Sequence, residues 1–232
     1  MTLRTKTLCI IGTTLGCLIA ALYFSSRAIL LRSFGTLEDN CTTDNVQRAL
    51  NAFSSDLFNL DRLLHDWAAW DDTCKFVEAP KANKQFVESN FVDTVFMDQR
   101  LDVMMVFNTA GQPVYAKAFD RNTKKEVPIP ESLKPHVSPN SLLLRHPSAK
   151  SAHKGVLMLP EAVMLVASQP ILNSANEGPI RGTLIFGRYL DTVEKKRLAD
   201  TVNLNLDICR VGDPNMCSDC KAMWHSLLKN GG

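Results

Sequence analysis

The hydrophobic pattern of the chain begins with one uncharged run, Leu8–Phe24, which follows Arg4 and Lys6. As a helix this run extends roughly 26 Å, close to a hydrocarbon thickness of about 30 Å. Because basic residues are retained in the cytoplasm, we expect residues 1–7 to be cytoplasmic and the chain beyond the run to lie outside. A cleaved signal peptide is the alternative, but Ser25-Ser26-Arg27 offers no small-x-small cleavage site. The pattern therefore favours an uncleaved transmembrane helix over residues 8–24.

After this run, apolar residues recur at alternating spacings of four and three, which places them on one face of a helix. This apolar seam consists of Val46, Leu50, Phe53, Leu57, Leu60 and Leu64, and it continues to Trp67. Charged residues, Asp56 and Asp61 among them, are assigned to the other faces. The pattern predicts one long helix, Leu37–Trp67. It leaves two interpretations open, a parallel homodimer contact and packing against the chain's own domain.

Beyond this helix the pattern becomes first helical and then strand-like. Helices are predicted over Trp67–Val77 and Lys84–Phe96, separated at Pro80. Apolar and alternating runs predict strands at Leu101–Phe107, Pro113–Phe119, Gly155–Leu159, Ala162–Ile171 and Gly182–Leu190. Asn108–Gly111 supplies turn residues that make the first two strands an antiparallel hairpin. Residues 120–154 are rich in Pro, Ser, Lys and Asn, which indicates a surface crossing with short helices at Glu131–His136 and Ser141–Arg145.

A closing helix, Asp191–Val202, is predicted with Asp191 or Thr192 as its cap, and Asn203–Cys209 is predicted as a final strand. About five strands behind a long N-terminal helix, with flanking helices, indicate the α+β class and an antiparallel sheet. This arrangement is similar to the PAS-like extracellular folds of bacterial receptors.

The composition and the absence of known motifs argue against several classes of function. The formal net charge is +2, from 26 basic and 24 acidic residues, and no basic cluster interleaves with aromatic residues, so no nucleic-acid partner is expected. The sequence contains no nucleophile elbow, phosphate-binding loop, dinucleotide fingerprint or kinase motif. We therefore expect neither an enzyme nor a cofactor.

The seven cysteines do not form a disulfide framework. Cys209, Cys217 and Cys220 cluster near the C-terminus with His225, and Cys217 and Cys220 have Cys-x-x-Cys spacing. A zinc site needs four suitably spaced ligands, and no second Cys-x-x-Cys pair flanks this one. No metal site is predicted, and a structurally idle tail over residues 209–232 is favoured over a disulfide.

Several separated motifs carry a resemblance to a known family. They are Asp66–Thr73 (DWAAWDDT) with Phe76-Val77, then Asn90-Phe91, Leu159-Pro160, 164–171 (MLVASQPI), 178–183 (GPIRGT) and 187–191 (GRYLD). This order resembles the CHASE domain of the fourth type, an extracellular sensory domain of bacterial and archaeal histidine kinases and nucleotide cyclases. Cys74 departs from the family pattern, which commonly has an aromatic residue there. The resemblance implies an extracytoplasmic sensory domain over residues 34–208.

Family members normally continue through a second membrane helix into a cytoplasmic output domain. This sequence ends at Gly232 with neither, so we expect a receptor fragment or a stand-alone sensory module. The predicted function is a membrane-anchored periplasmic or extracellular domain of a signal-transduction receptor, such as a two-component system, with a small-molecule ligand. The alternative is a dimerisation or protein-interaction module that binds no small ligand.

The signature supplies candidate ligand-binding residues, which are Trp67, Trp70, Asp71, Asp72, Tyr115 and Arg188. Indole faces beside a carboxylate suit a cationic or hydrogen-bonding small ligand. The alternative is that both tryptophans pack the helix on the sheet while the aspartates cap a helix or face water. Arg188 is expected either to form an internal salt bridge or to meet an anionic ligand.

Overall fold

A computed structural model of the chain describes residues 3–206 and, near the C-terminus, residues 216, 218, 220–222 and 224. The first helix, α1, is Leu3–Ala68. Within it, Lys6–Arg27 is long and apolar enough to cross a membrane by length and composition, and those of its large apolar side chains that the structure describes are exposed. The chain divides into two compact units, one ending at Leu50 and the other beginning at Asn51. The sheet and the remaining helices belong to the second unit.

Three short helices follow α1, and their bounds correct two predictions. The helix predicted over Trp67–Val77 is interrupted, because α1 ends at Ala68 and α2 is Asp71–Glu78. Between them Trp70 is extended, and Ala69 forms a parallel bridge to Leu172. The helix predicted over Lys84–Phe96 is two helices, α3 (Lys84–Asn90) and α4 (Asp93–Asp98).

The break between α3 and α4 has a tertiary cause. Phe91 is buried, and its ring contacts the rings of Trp67, Phe76, Phe86 and Tyr115. The backbone leaves helical geometry at this position, and the Phe91 side chain thereby reaches the interior. Val92 is then extended, with φ −80° and ψ 159°. Helical propensity along Lys84–Phe96 is outweighed by the burial of one aromatic side chain.

The described strands form one antiparallel sheet. They are β1 (Val103–Asn108), β2 (Pro113–Asp120), β3 (Lys125–Val127), β4 (His153–Met158), β5 (Val163–Ile171) and β6 (Gly182–Tyr189). Their spatial order is β3-β2-β1-β6-β5-β4. The predicted β1–β2 hairpin is confirmed, with Val103 opposite Ala118. Strand β3 was not predicted, because its three residues are exposed and too few to show a pattern.

The elements after the sheet match the prediction in part. Helix α5 is Thr192–Val202, and Asp191 caps it by accepting a hydrogen bond from the amide of Glu194 at 2.8 Å. Asn203 ends α5 in the left-handed region, and residues 203–206 are not in a strand, so that part of the predicted final strand is wrong. Residues 207–209 lie outside the described residues. The predicted α+β class, a long N-terminal helix followed by an antiparallel sheet with flanking helices, is confirmed.

Alternation along the strands divides the interior into two cores. The inner core lies between the helices and one face of the sheet, and it contains Leu60, Leu64, Met104, Val106, Leu184 and Phe186. The outer core lies on the opposite face and contains Val103, Met105, Phe107, Met164 and Ile185. The segment with the 3-10 helices Glu131–Val137 and Leu142–Leu144 contributes Leu133, Val137 and Leu143 to the outer core. Both faces of the sheet are therefore covered.

The apolar seam of α1 changes its environment along its length. Leu60 and Leu64 are fully buried in the inner core, and Phe53 and Leu57 pack partly against it. Val46 and Leu50 are more than half exposed. Internal packing therefore accounts for the later half of the seam, and a homodimer contact stays a prediction for the earlier half.

Candidate functional site

Trp67 and Trp70 belong to an aromatic cluster inside the second unit. Trp67 lies 6.2 Å from Trp70, 5.8 Å from Phe91 and 6.3 Å from Phe186 between ring centroids. Trp70 also meets Phe86 at 5.4 Å. Phe186 is on β6, so these contacts hold the end of α1 against the sheet. Aromatic pairs of this kind are worth about 0.5–1.5 kcal/mol each beyond their burial.

Tyr115 joins the same cluster from β2. Its ring is 4.7 Å from Phe91, and its hydroxyl donates to the Phe91 carbonyl at 3.5 Å. Burial, with Glu126 and Asp93 nearby, raises the pKa of Tyr115. Tyr115 also lines an open groove of about 610 Å³ between α3, α4 and the β2–β3 edge. The charged residues of this groove are mixed, since Lys117 pairs with Asp93 at 2.6 Å and with Glu126 at 3.8 Å.

Asp71 and Asp72 begin α2 and lie at the surface. Asp71 accepts a hydrogen bond from the Ser174 amide at 2.9 Å, and its own amide donates to the Ser174 hydroxyl at 3.1 Å. Asp72 pairs with Lys75 at 2.9 Å. Neither carboxylate lines the groove near Tyr115 or the two smaller cavities that adjoin Tyr189 and Arg188, and both carboxylates have structural partners.

Arg188 is buried on β6, and its partner is none of the signature carboxylates. Its Nη1 lies 3.2 Å from Asp56 Oδ2. Its Nε donates to the Arg100 carbonyl at 2.8 Å, and its Nη2 donates to the Gln99 carbonyl at 3.0 Å. The internal salt bridge that was one expectation for Arg188 is therefore present, with a partner on α1.

Asp56 is the centre of a buried arginine–carboxylate network, which corrects its assignment to a solvent-facing side of α1. It is 4% exposed and is approached by three arginines, Arg188, Arg100 (3.3 Å) and Arg197 (2.8 Å). Its Oδ2 and the nearest nitrogen of Arg188 are within ion-pair distance but not aligned for a hydrogen bond. Asp56 is three residues from Phe53 and four from Leu60, which places it on the core-facing side.

The network continues through Glu194 to Asp102. Glu194, on α5, accepts from Arg100 at 2.9 Å, from Arg197 at 2.8 Å and from Arg121 at 2.8 Å. Arg121 in turn forms a two-bond contact with Asp102, at 2.7 and 3.1 Å. The second oxygen of Asp102 also accepts from the Tyr189 amide at 2.7 Å. One run of ion pairs thus connects α1, α5 and the ends of β1, β2 and β6.

The pKa shifts in this network have opposite directions. Burial raises the pKa of Asp102, although Arg121 opposes the shift. Burial alone would raise the pKa of Glu194, but hydrogen bonds from Arg197 and Arg121 outweigh it and the pKa is lowered. Burial and the neighbouring Arg100 lower the pKa of Arg188. Burial also acts to lower the pKa of Arg121, but its bonds to Asp102 and Glu194 raise it.

Asp102 and Tyr189 open onto a cavity of about 300 Å³ beside the outer core. Its wall is formed by Asp102, Ala118, Phe119, Asp120, Asn122, Val127, Pro130, Glu161, Ala162, Tyr189 and Asp191. We call it the Tyr189 cavity. Burial, together with Glu161 and Asp102, raises the pKa of Tyr189 to about 12. None of the predicted ligand-binding residues lines this cavity.

A third cavity, of about 230 Å³, lies between α1 and the α4–β1 turn and includes Arg188. Its charged side chains are of both signs, Arg62, Arg100 and Arg188 with Asp66 and Asp98. The structure therefore distributes the predicted residues over separate places. Trp67, Trp70 and Tyr115 share the aromatic cluster, whereas Asp71 and Asp72 lie at the surface and Arg188 lies in the network.

Neither the arginine–carboxylate network nor the Tyr189 cavity was predicted from the sequence. Asp56 was detectable as a charged residue on the apolar face of a helix, a pattern that indicates a buried partner. Asp102 and Arg121 lie at strand ends and carried no such signal. Among the described residues, no group of three or more His, Cys, Asp or Glu side chains is placed to hold a metal ion. Of the residues in the predicted tail, Cys209, Cys217 and His225 lie outside the described residues.

Comparison with known proteins gives one family match and one curated relative. Residues 52–208 match the CHASE4 domain. The chain is 31% identical over 208 residues to the methanogenesis regulatory histidine kinase FilI of Methanothrix harundinacea (strain 6Ac). That match covers 89% of this chain and 23% of the relative, so the chain spans about a quarter of the relative's length.

Two solved structures match part of the fold at low sequence identity. The extracellular domain of a protein described as a histidine kinase, vpHK1S-Z8, is 13% identical with a TM-score of 0.46, over 68% of this chain and 60% of that one. The sensor domain of Escherichia coli DcuS is 10% identical with a TM-score of 0.40, over 66% of this chain and 98% of that one.

Proposed function

Because the chain belongs to the CHASE4 family of sensory domains, we propose that it is the membrane-anchored, extracytoplasmic sensory domain of a signal-transduction receptor and that it binds a small molecule. The ligand site of this proposal is the Tyr189 cavity. The membrane anchor is the uncharged run Leu8–Phe24 within the Lys6–Arg27 segment, with Arg4 and Lys6 in the cytoplasm.

One observation carries the choice of cavity. Asp102 lines the Tyr189 cavity, and the same carboxylate begins the run of ion pairs that ends on Asp56 of α1. A ligand that binds Asp102, or that contacts Tyr189 at the end of β6, changes the set of carboxylates that Arg121 contacts. Arg121 is bonded to Glu194, and Glu194 shares Arg100 with Asp56. The cavity is thereby connected to the α1 segment of the second unit by contacts of 3.3 Å or less.

The network is suited to two arrangements. Asp56 Oδ2, Arg188 Nη1 and Arg197 Nη2 are buried without an aligned hydrogen bond, so their ionic contacts depend on distance more than on direction. Asp56 and Glu194 are each approached by three arginines, and Arg100 and Arg197 contact both, so these two arginines can move between the two carboxylates without losing a counter-charge. A ligand shifts such an equilibrium when it binds one arrangement more tightly than the other.

A ligand screen tests the proposal. The full chain in detergent micelles is screened for thermal stabilisation with a panel of metabolites, since a ligand of the folded state raises the transition temperature. A hit should lose its effect in Ala162→Phe, which fills the Tyr189 cavity. It should keep its effect in Thr94→Phe, which places the same ring at the exposed wall of the groove near Tyr115. The opposite pattern would move the ligand site to that groove.

Localisation has a separate test. A reporter that is active only outside the cytoplasm, fused after Gly232, should be active. Reversing both N-terminal charges, Arg4→Glu with Lys6→Glu, should reduce that activity because the basic residues set the orientation. A reporter that is inactive in both forms would refute the extracytoplasmic assignment.

A ligand-free dimerisation module is the second candidate, and the exposed part of the apolar seam favours it. Val46 and Leu50 are each more than half exposed on α1. If they form a homodimer contact, Leu50→Glu should leave the protein folded and halve its mass in analytical ultracentrifugation. Dimer loss, together with a ligand panel that yields no hit, would favour this candidate over the sensory one.

A further inference from the structure

The Tyr189 cavity differs from the other two in the sign of its charges. Its charged lining residues are Asp102, Asp120, Glu161 and Asp191, and none of the described lining residues is basic. The groove near Tyr115 contains Lys117, and the third cavity contains three arginines. Of the three, the Tyr189 cavity alone has charged walls of a single sign.

Tyr189 supplies a second and independent feature. Its ring is half-buried, and among the described residues its hydroxyl has no hydrogen-bond partner. A tyrosine hydroxyl without a protein partner is available to a ligand. Burial, with Glu161 and Asp102 nearby, raises the pKa of Tyr189 to about 12, so its hydroxyl is protonated at neutral pH.

The acidic wall is held in place before any ligand arrives. Asp191 caps α5, and Asp120 accepts hydrogen bonds from the Asn122 amide at 2.9 Å and the Thr123 hydroxyl at 2.8 Å. Glu161 accepts from the Ser132 hydroxyl. Arg121 lies 2.7 Å from Asp102 and 4.0 Å from Asp191, so among the described residues Asp120 and Glu161 are the lining carboxylates that have no arginine partner. Carboxylates that are fixed by the protein attract a cation without the cost of ordering side chains on binding.

The rest of the wall is apolar, with Ala118, Phe119, Val127, Pro130 and Ala162. A volume of about 300 Å³ suits a compact molecule. We propose that the Tyr189 cavity takes a small organic cation, an ammonium group on a compact apolar body. The ammonium would lie against the acidic wall and the Tyr189 ring, whose face attracts cations. This inference rests on the proposed sensory function and adds the chemical class of its ligand.

The chain offers a direct assay, because it has three tyrosines, each in a different place. Tyr23 is in the apolar helix, Tyr115 lines the groove and Tyr189 lines the cavity. With 3-fluorotyrosine in the full chain, fluorine NMR follows all three at once. The probes share one apolar body and differ in charge: 2-phenylethylammonium, 2-phenylethanol and 3-phenylpropionate.

We expect 2-phenylethylammonium to shift the Tyr189 resonance and to leave those of Tyr23 and Tyr115 in place. Glu161→Gln should weaken this binding about threefold, as expected for a partly solvated ion pair. The matched control is Glu126→Gln, which neutralises a carboxylate in the groove near Tyr115 and should change nothing.

Other outcomes separate the two proposals. If the alcohol or the carboxylate shifts Tyr189 as strongly as the ammonium, the cation class is refuted while the ligand site stands. A response of Tyr115 instead of Tyr189 would refute both the cation class and the choice of cavity. If no probe moves any resonance, the cation inference is refuted, and the metabolite screen decides the sensory function separately.

Discussion

Replacing Asp56 by asparagine removes the negative charge at the centre of the network. Among the described residues, Asp56 is the carboxylate within ion-pair distance of Arg188, which is 2% exposed. Arg100 and Arg197 are each about one third exposed and keep Glu194 as a partner. The main cost of the substitution is therefore one buried guanidinium that is left without a counter-charge.

Breaking one partner of a buried ion pair costs about 3–5 kcal/mol. Arg188 keeps its hydrogen bonds to the Arg100 and Gln99 carbonyls, so the lower end, about 3 kcal/mol, is expected. For a domain of this size the transition temperature falls by about 2–4 °C per kcal/mol. Asp56→Asn should therefore lower it by roughly 6–12 °C, measured by near-UV circular dichroism of the full chain.

Two further variants make this prediction sharp. Asp72→Asn removes the same charge from an exposed pair with Lys75 and should leave the transition unchanged. The double variant Asp56→Asn with Arg188→Met removes both charges, and it should be more stable than the sum of the two single effects predicts. The argument that Asp56→Asn leaves a buried charge without a partner would be refuted by either of two results. One is a transition temperature of Asp56→Asn equal to that of Asp72→Asn, and the other is a double variant whose loss of stability equals the sum of the two single losses.

Two other predictions concern backbone packing and pH. A Cβ added at Gly182 would lie 2.1 Å from the Phe107 carbonyl oxygen, so Gly182→Ala should destabilise the β1–β6 pairing by about 1–3 kcal/mol or more. Gly155→Ala, with nothing within 4 Å, should show no loss in the same denaturant titration, and equal losses would contradict this. The lowered pKa of Glu194 means that its stabilisation is present above its unfolded pKa, near 4.5, and is lost as the pH falls through the lower folded pKa. Glu194→Gln should therefore flatten the decline of the transition temperature below pH 4.5, and an unchanged slope would contradict this assignment.

Local patterns were sufficient for the elements that depend on periodicity. The seam predicted a helix ending near Trp67, alternation predicted the β1–β2 hairpin, and Asp191 was one of the two residues predicted as the α5 cap. These features depend on neighbours within a few residues along the chain, which the sequence displays directly. The separated motifs were also sufficient for the family, because their order along the chain is itself sequence information.

Only the tertiary structure decided where charges and cavities lie. The residues of the network lie far apart along the chain, with 138 positions between Asp56 and Glu194. They meet because α1 and α5 pack on the same sheet, which also brings in Arg100, Arg121 and Arg188. The break at Phe91 and the pairing of the short strand β3 likewise depend on distant contacts. Periodicity shows which face of an element is buried, but the residue that it meets is set by the packing of the whole domain. The physical reason is that burial and charge pairing act through space, whereas the sequence displays distance only along the chain.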